Sequence, residues 1–161
     1  MRAFVAALLK NKKIKTAGQR MQVAGGLPTD TDPMIEEIVA YWRSLNHASV
    51  LPDWQEIDPI QFPRHLSGIS LLDVERNPWR FRFRLLGDDL VDHHGANLTG
   101  RWMDDVFPHF LGTRTELDLI ATAESQALVY RRGKPLLTYE KAFVEIERIL
   151  CRLVTAALRS N

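Results

Sequence analysis

Ile69-Ser70-Leu71-Leu72-Asp73-Val74-Glu75, followed by Arg76-Asn77-Pro78-Trp79 and then Arg80-Phe81-Arg82-Phe83-Arg84-Leu85-Leu86, is the stretch that decides the fold class. The last run has a clean period of two. As a strand it puts Phe81, Phe83 and Leu85 on one face and the three arginines on the other. The first run is apolar and β-rich, and the segment Arg76–Trp79 between the two carries turn residues. Antiparallel pairing through that short turn is the economical arrangement, giving a sheet with one face on a core and the other on water or a partner.

Upstream, Thr31-Asp32-Pro33 predicts a helix start, with Asp32 capping, Pro33 at the first helical position, and Glu36 and Glu37 at the positive end of the dipole. Ile35, Ile38, Val39, Trp42 and Leu45 fall on one stripe, so a helix is expected over about 34–46. The proline-punctuated connector 51–59 has room for a helical turn, and 60–66 for another short helix.

Downstream, residues 87–108 are polar and broken by Gly87, Gly95 and Gly100, which favours short helices. Thr113-Arg114-Thr115-Glu116 has capping-box form and opens a longer helix. Its stripe reads Leu117, Ile120, Ala121, Ala127 and Leu128, and Gly133 with Pro135 closes it. In 136–160 the spacing of Phe143, Ile146, Leu150, Leu153, Val154 and Ala157 is helical by periodicity.

The chain has 161 residues, 45% of them hydrophobic and 25% charged, which suits one globular domain with a true core. Its net charge of +1 hides a segregation. Residues 1–29 hold six bases and no acid, and the remaining 132 hold 15 bases against 20 acids. Residues 1–30 are therefore expected to be a basic, flexible arm, and 31–161 the domain. Cys151 is the only cysteine, which excludes an intramolecular disulfide framework and multi-cysteine metal sites and suits a reducing, cytoplasmic setting. The apolar run Ala3–Leu9 is too short for a span and lacks the features of a secretory signal.

The order of elements, and then particular motifs, resemble a bacterial family of PAS-like domains. The motifs stand in order as Tyr41-Trp42-Arg43-Ser44-Leu45, Leu51-Pro52, Ile57-Asp58-Pro59, Leu71-Leu72-Asp73-Val74, Phe81-Arg82-Phe83-Arg84-Leu85-Leu86-Gly87 and Gly95-Ala96-Asn97-Leu98-Thr99-Gly100-Arg101. The likeness covers about residues 38–110. It implies an α+β fold: a PAS-like antiparallel sheet with short helices on one face and an N-terminal amphipathic helix. Arg132-Gly133-Lys134-Pro135 resembles the family's link into its third strand and 143–150 its fourth, so the resemblance overrides the helical period and implies strands over 136–143 and 144–154. The family's fifth strand has no clear counterpart, so the final strand is expected to be missing, shortened or out of register.

No catalytic signature is present: Gly133-Lys134-Pro135 lacks a phosphate-cradling loop, and no serine sits in a nucleophile elbow. A non-enzyme is expected. Asp88, Asp89, Asp92, His93 and His94 form the best metal candidate, read as a solvated acidic helix, so no metal site is assigned. His93, His94 or His109 as a haem ligand has no support from spacing, and no cofactor is named. A ligand pocket is expected between the strand face of Phe81, Phe83 and Leu85 and short helices carrying Trp102, Met103 and Phe107. Ile35, Ile38, Val39 and Trp42 are candidate dimer contacts, because the resemblance implies dimerisation through this helix. The leading expectation is a stand-alone sensory or interaction domain binding a small molecule or signalling protein as a homodimer. A nucleic-acid regulator using the basic arm and a metal- or haem-dependent protein are the alternatives.

Overall fold

The computed structural model describes residues 4–8, 10–11, 19–23, 26–45, 51–61, 63–125, 128–133 and 146–154. Its strands are β1 (Phe4–Leu8), β2 (Lys10–Asn11), β3 (Gln19–Val23), β4 (Ile69–Glu75), β5 (Arg80–Leu86), β6 (Leu128–Gly133) and β7 (Ile146–Leu153). They form one antiparallel sheet in the order β3-β6-β7-β1-β4-β5, with β2 also on β7. The helices are α1 (Pro33–Leu45), α2 (Asp88–His94), α3 (Met103–Val106) and α4 (Arg114–Glu124). The fold is α+β, as expected.

The expected hairpin is present, with Val74 opposite Phe81 and Leu72 opposite Phe83. The period of two fails at its end. Between Leu71 and Leu72 the register slips, so Leu71 pairs with Leu85 and Leu72 with Phe83. This bulge reverses the facing of the residues beyond it. Phe81 and Phe83 are buried, while Leu85 is 46% exposed and lies against the opposite face. The expected common face of Phe81, Phe83 and Leu85 is thus corrected at Leu85.

The two sides of the sheet carry separate cores. On one, α1 lays Ile35, Ile38, Val39 and Trp42 over Ile69, Tyr130, Ile149, Cys151 and Leu153. Each of these four helix side chains is worth roughly 2 kcal/mol as buried apolar surface. Asp32 caps the helix through Met34 N, as its sequence predicts. On the other side, Leu72, Val74, Phe81, Phe83, Val129 and Leu150 meet Leu98, Met103, Phe110, Leu119 and Ala123. In β7 the alternation is plain: Ile149, Cys151 and Leu153 face α1 and Leu150 faces α4.

Two expectations change. Residues 1–30 are basic enough to suggest a flexible arm, but Phe4–Leu8 is a strand inside the sheet and Gln19–Val23 one at its edge. Phe4 to Ala7 pair with Leu153 to Leu150, and Lys10 and Asn11 continue the same register onto Glu147 and Ile146. On its other side β1 pairs with β4 through Ala7–Ser70 and Leu8–Ile69. β1 therefore joins the hairpin β4–β5 to the β6–β7 pair. The basic residues around it read as a solvated tail, but Phe4-Val5-Ala6-Ala7-Leu8 is a short, continuous apolar run of the kind that suits a strand within a sheet.

The second change is in α4. Its buried residues are Thr115, Asp118, Leu119, Thr122 and Ala123, and Leu117 is 47% exposed. The expected stripe is out of phase because a buried carboxylate, Asp118, outranks the apolar count: Arg131 and Arg148 each reach its Oδ2 at 3.1 Å. The helix also ends at Ser125, and Leu128, expected within it, begins β6. The strand expected over 144–154 is present as β7, and that expected over 136–143 lies outside the described residues.

Gly87, between β5 and α2, is needed for space. A Cβ there would run into the backbone carbonyls of Leu66 and Ser67, and its amide donates to Ile69 O. The turn Pro63–Gly68 is thereby held against the start of α2.

Candidate functional site

A cavity of about 660 Å³ lies on the α1 side of the sheet. Its roof is the second half of α1, with Ile38, Tyr41 and Trp42, and its floor is Ile69, Leu71, Cys151 and Leu153. Trp54 and Ile57 close one side, and Leu66, Ser67, Leu85, Gly87 and Asp88 the other. The volume is that of a small-molecule site, and the lining is mostly apolar with a few polar groups.

Hydrogen bonds hold the roof at both ends. At the helix start, Asp32 N and the Tyr130 hydroxyl both donate to Glu147 Oε1, at 3.0 and 2.7 Å. Arg132 donates to Asp30 Oδ2 at 2.7 Å and lies 3.5 Å from the same Glu147 oxygen. Burial and the neighbouring carboxylate push the Tyr130 phenol above its ordinary range, so it stays a donor. Further along, Trp42 Nε1 donates to Arg152 O at 2.9 Å. The Tyr41 hydroxyl accepts from Asp58 N at 2.8 Å and donates to Glu56 O at 3.3 Å. A capping box at Asp53 and Glu56 fixes the short turn that presents Trp54. The helix is thus anchored while the space beneath it stays open.

Burial pushes the Cys151 thiol up to about 12. It is a neutral, unreactive lining group.

The structure divides the expected pocket residues. Phe81, Phe83 and Met103 are buried in the packed core of the opposite face, where Phe110 meets Phe81 edge-on and Phe107 meets Phe83 likewise. Trp102 lies outside that core: residues 100–102 run along the edge of β5, and the Trp102 ring carries the guanidinium groups of Arg80 and Arg82 at 4.4 and 5.2 Å. Of the six, only Leu85 lines the cavity. The candidate dimer contacts Ile35, Ile38, Val39 and Trp42 are turned onto their own sheet. The arginine face is paired from within the chain, Arg82 and Arg84 with Asp73 and Arg80 with Asp104 and Asp105.

Tyr41, Trp54, Ile57, Leu66, Leu71 and Cys151 line the cavity without a motif that marks them as lining residues. The one usable signal in the sequence is the cluster Tyr41, Trp42, Trp54, three aromatic side chains close to a proline-punctuated connector. Among the described residues, no group of three or more His, Cys, Asp or Glu is placed to hold a metal. No helix among them is long and apolar enough to cross a membrane.

His94, one of the candidate metal and haem ligands, packs instead against Phe83 and Phe107, at ring separations of 6.0 and 5.6 Å. Its buried Nδ1 has no hydrogen-bond partner. Burial, with His93 adding to it, depresses its pKa from 6.5 to about 4. The unfolded chain therefore takes up this proton before the folded one does. Stability is expected to fall as pH drops from about 6.5 to about 4, by roughly 2 kcal/mol allowing for part of the ring being exposed. Urea titrations across that range should show the slope, and His94→Phe, which keeps the ring contacts, should flatten it.

A family model described as PAS domain matches residues 31–157. The chain belongs to the PAS domain family, a family of sensory and interaction domains. Neither a search of curated proteins nor one of solved structures finds a match. The family match excludes β1, β2 and β3, the strands that complete the sheet.

Proposed function

We propose that this PAS domain is a non-catalytic sensor that binds a small, largely apolar molecule in the cavity beneath α1. The observation that carries the reading is the cavity itself, about 660 Å³, roofed by a helix whose ends are tied down by separate hydrogen bonds. A ligand there touches Ile38, Tyr41 and Trp42 directly, so occupancy acts on the one helix that covers that face. Signalling requires that the ligand favour one packing of α1 over another. A second copy or a signalling protein would then read the exposed side of α1, which carries Glu36, Glu37, Ala40, Arg43 and Ser44. The single cysteine, Cys151, suits a reducing, cytoplasmic setting.

The test uses the neutral fluorescent probe N-phenyl-1-naphthylamine with the intact chain and with Leu71→Trp, which fills the cavity floor. Saturable one-to-one binding is expected for the intact chain, lost in the variant while circular dichroism shows the fold retained. Binding that does not saturate, or is the same in both proteins, would overturn the reading. Native mass spectrometry of unheated protein reports any carried molecule and the oligomeric state together.

A further inference from the structure

We infer that the cavity beneath α1 selects a ligand with an apolar body and a cationic end, an organic ammonium in place of a fatty carboxylate. The inference rests on the ligand-binding reading above and adds the charge class. Asp88 is the one described lining residue with a formal charge at neutral pH, and none of the described lining residues is an arginine, lysine or histidine. Asp88 is exposed, at the rim with Ser67 and Gly87, where a polar ligand end would emerge. Three aromatic side chains, Tyr41, Trp42 and Trp54, contribute to the walls. Aromatic faces attract cations through their quadrupole, most strongly where water is excluded.

The nearby arginine does not reverse this. The Arg84 guanidinium lies 4.8 Å from the centre of the Trp54 ring and reaches Asp73 Oδ1 at 3.4 Å. It is engaged on the sheet and is not part of the lining. It also shows that the Trp54 ring accepts a cation in this fold. An anionic ligand end at the rim would meet the Asp88 carboxylate, with no cation among the described lining residues to offset it. An ammonium would meet a carboxylate and aromatic walls.

The experiment compares three probes of one chain length, octyltrimethylammonium, octan-1-ol and octanoate, each displacing N-phenyl-1-naphthylamine from the intact chain at low salt. The ammonium is expected to bind at least tenfold tighter than the alcohol, with octanoate weakest. Asp88→Asn, an exposed substitution, should reduce ammonium affinity fivefold or more and leave the alcohol unchanged. Octanoate binding as tightly as the ammonium, an ammonium that fails to displace bound dye, or an Asp88→Asn variant with unaltered preference would overturn the charge class and leave the ligand-binding reading standing. If neither dye nor any probe binds, both fail together.

Discussion

Asp118→Ala is expected to cost the domain about 3–5 kcal/mol, a large share of the 5–15 kcal/mol typical of a small domain. Asp118 is fully buried on α4, and Arg131 and Arg148 both donate to its Oδ2 at 3.1 Å. Truncation leaves two guanidinium groups with little access to water and no carboxylate between them. Arg148 is the worse placed: burial already pulls its pKa down to about 10, against the pull of Asp118 in the other direction. Urea denaturation of the variant should give a clearly lower midpoint or no folded baseline. Much of that loss reflects uncompensated charge and not the worth of the original pairs. A combined Asp118→Leu, Arg131→Leu, Arg148→Met variant should therefore recover much of it. If the triple variant is as unstable as the single one, the polar cluster contributes shape or specificity that an apolar replacement cannot supply.

A chain beginning at Met21 is expected to lose the cooperative fold. It would lack β1 and β2, and with them the strand that pairs with both β7 and β4. The sheet would fall into a β6–β7 part and a β4–β5 hairpin, each with an unpaired edge and one side of its core open. Circular dichroism and amide-proton dispersion read this directly, and a native-like spectrum would contradict it. Ala6→Pro is the gentler form of the same test. Ala6 lies opposite Cys151 within the sheet, and proline in a central strand removes a donor and strains the pairing, so a clearly lower urea midpoint is expected. A peptide of residues 1–11 added to the shortened chain should restore dispersion if the empty slot persists.

The α1 stripe, its Asp32 cap, the β4–β5 hairpin and the family are legible in the sequence, because each depends on neighbours a few residues away. The sequence is silent where partners are distant. Leu85 obeys the period of two in sequence and breaks it in space, since the bulge is set by pairing between β4 and β5. Leu117 has the spacing of a core residue, but α4 is rotated to deliver Asp118 to arginines on β6 and β7. The segments that form β1, β2 and β3 resemble part of a tail because their pairing partners lie beyond residue 127 or at the start of β4. Aromatic side chains between the sheet and the short helices suggest a pocket there; Phe81, Phe83, Met103 and Phe110 are buried together in that layer, and a cavity lies on the other side beneath α1.

The position of β1 also sets a timetable for synthesis. Its main pairing partner, β7, lies about 145 residues later in the chain. At the usual pace of translation the ribosome needs on the order of ten seconds to cover that distance. Until then β4–β5 and α1 can form local structure, but the slot beside β7 does not yet exist. A β-rich segment carrying Phe4, Val5 and Leu8 has only its short pairing with β4 within reach for that interval, which makes it a natural object for chaperones and a point of entry for aggregation. Its yield in a cell should depend on how that waiting strand is protected as much as on the stability of the finished sheet.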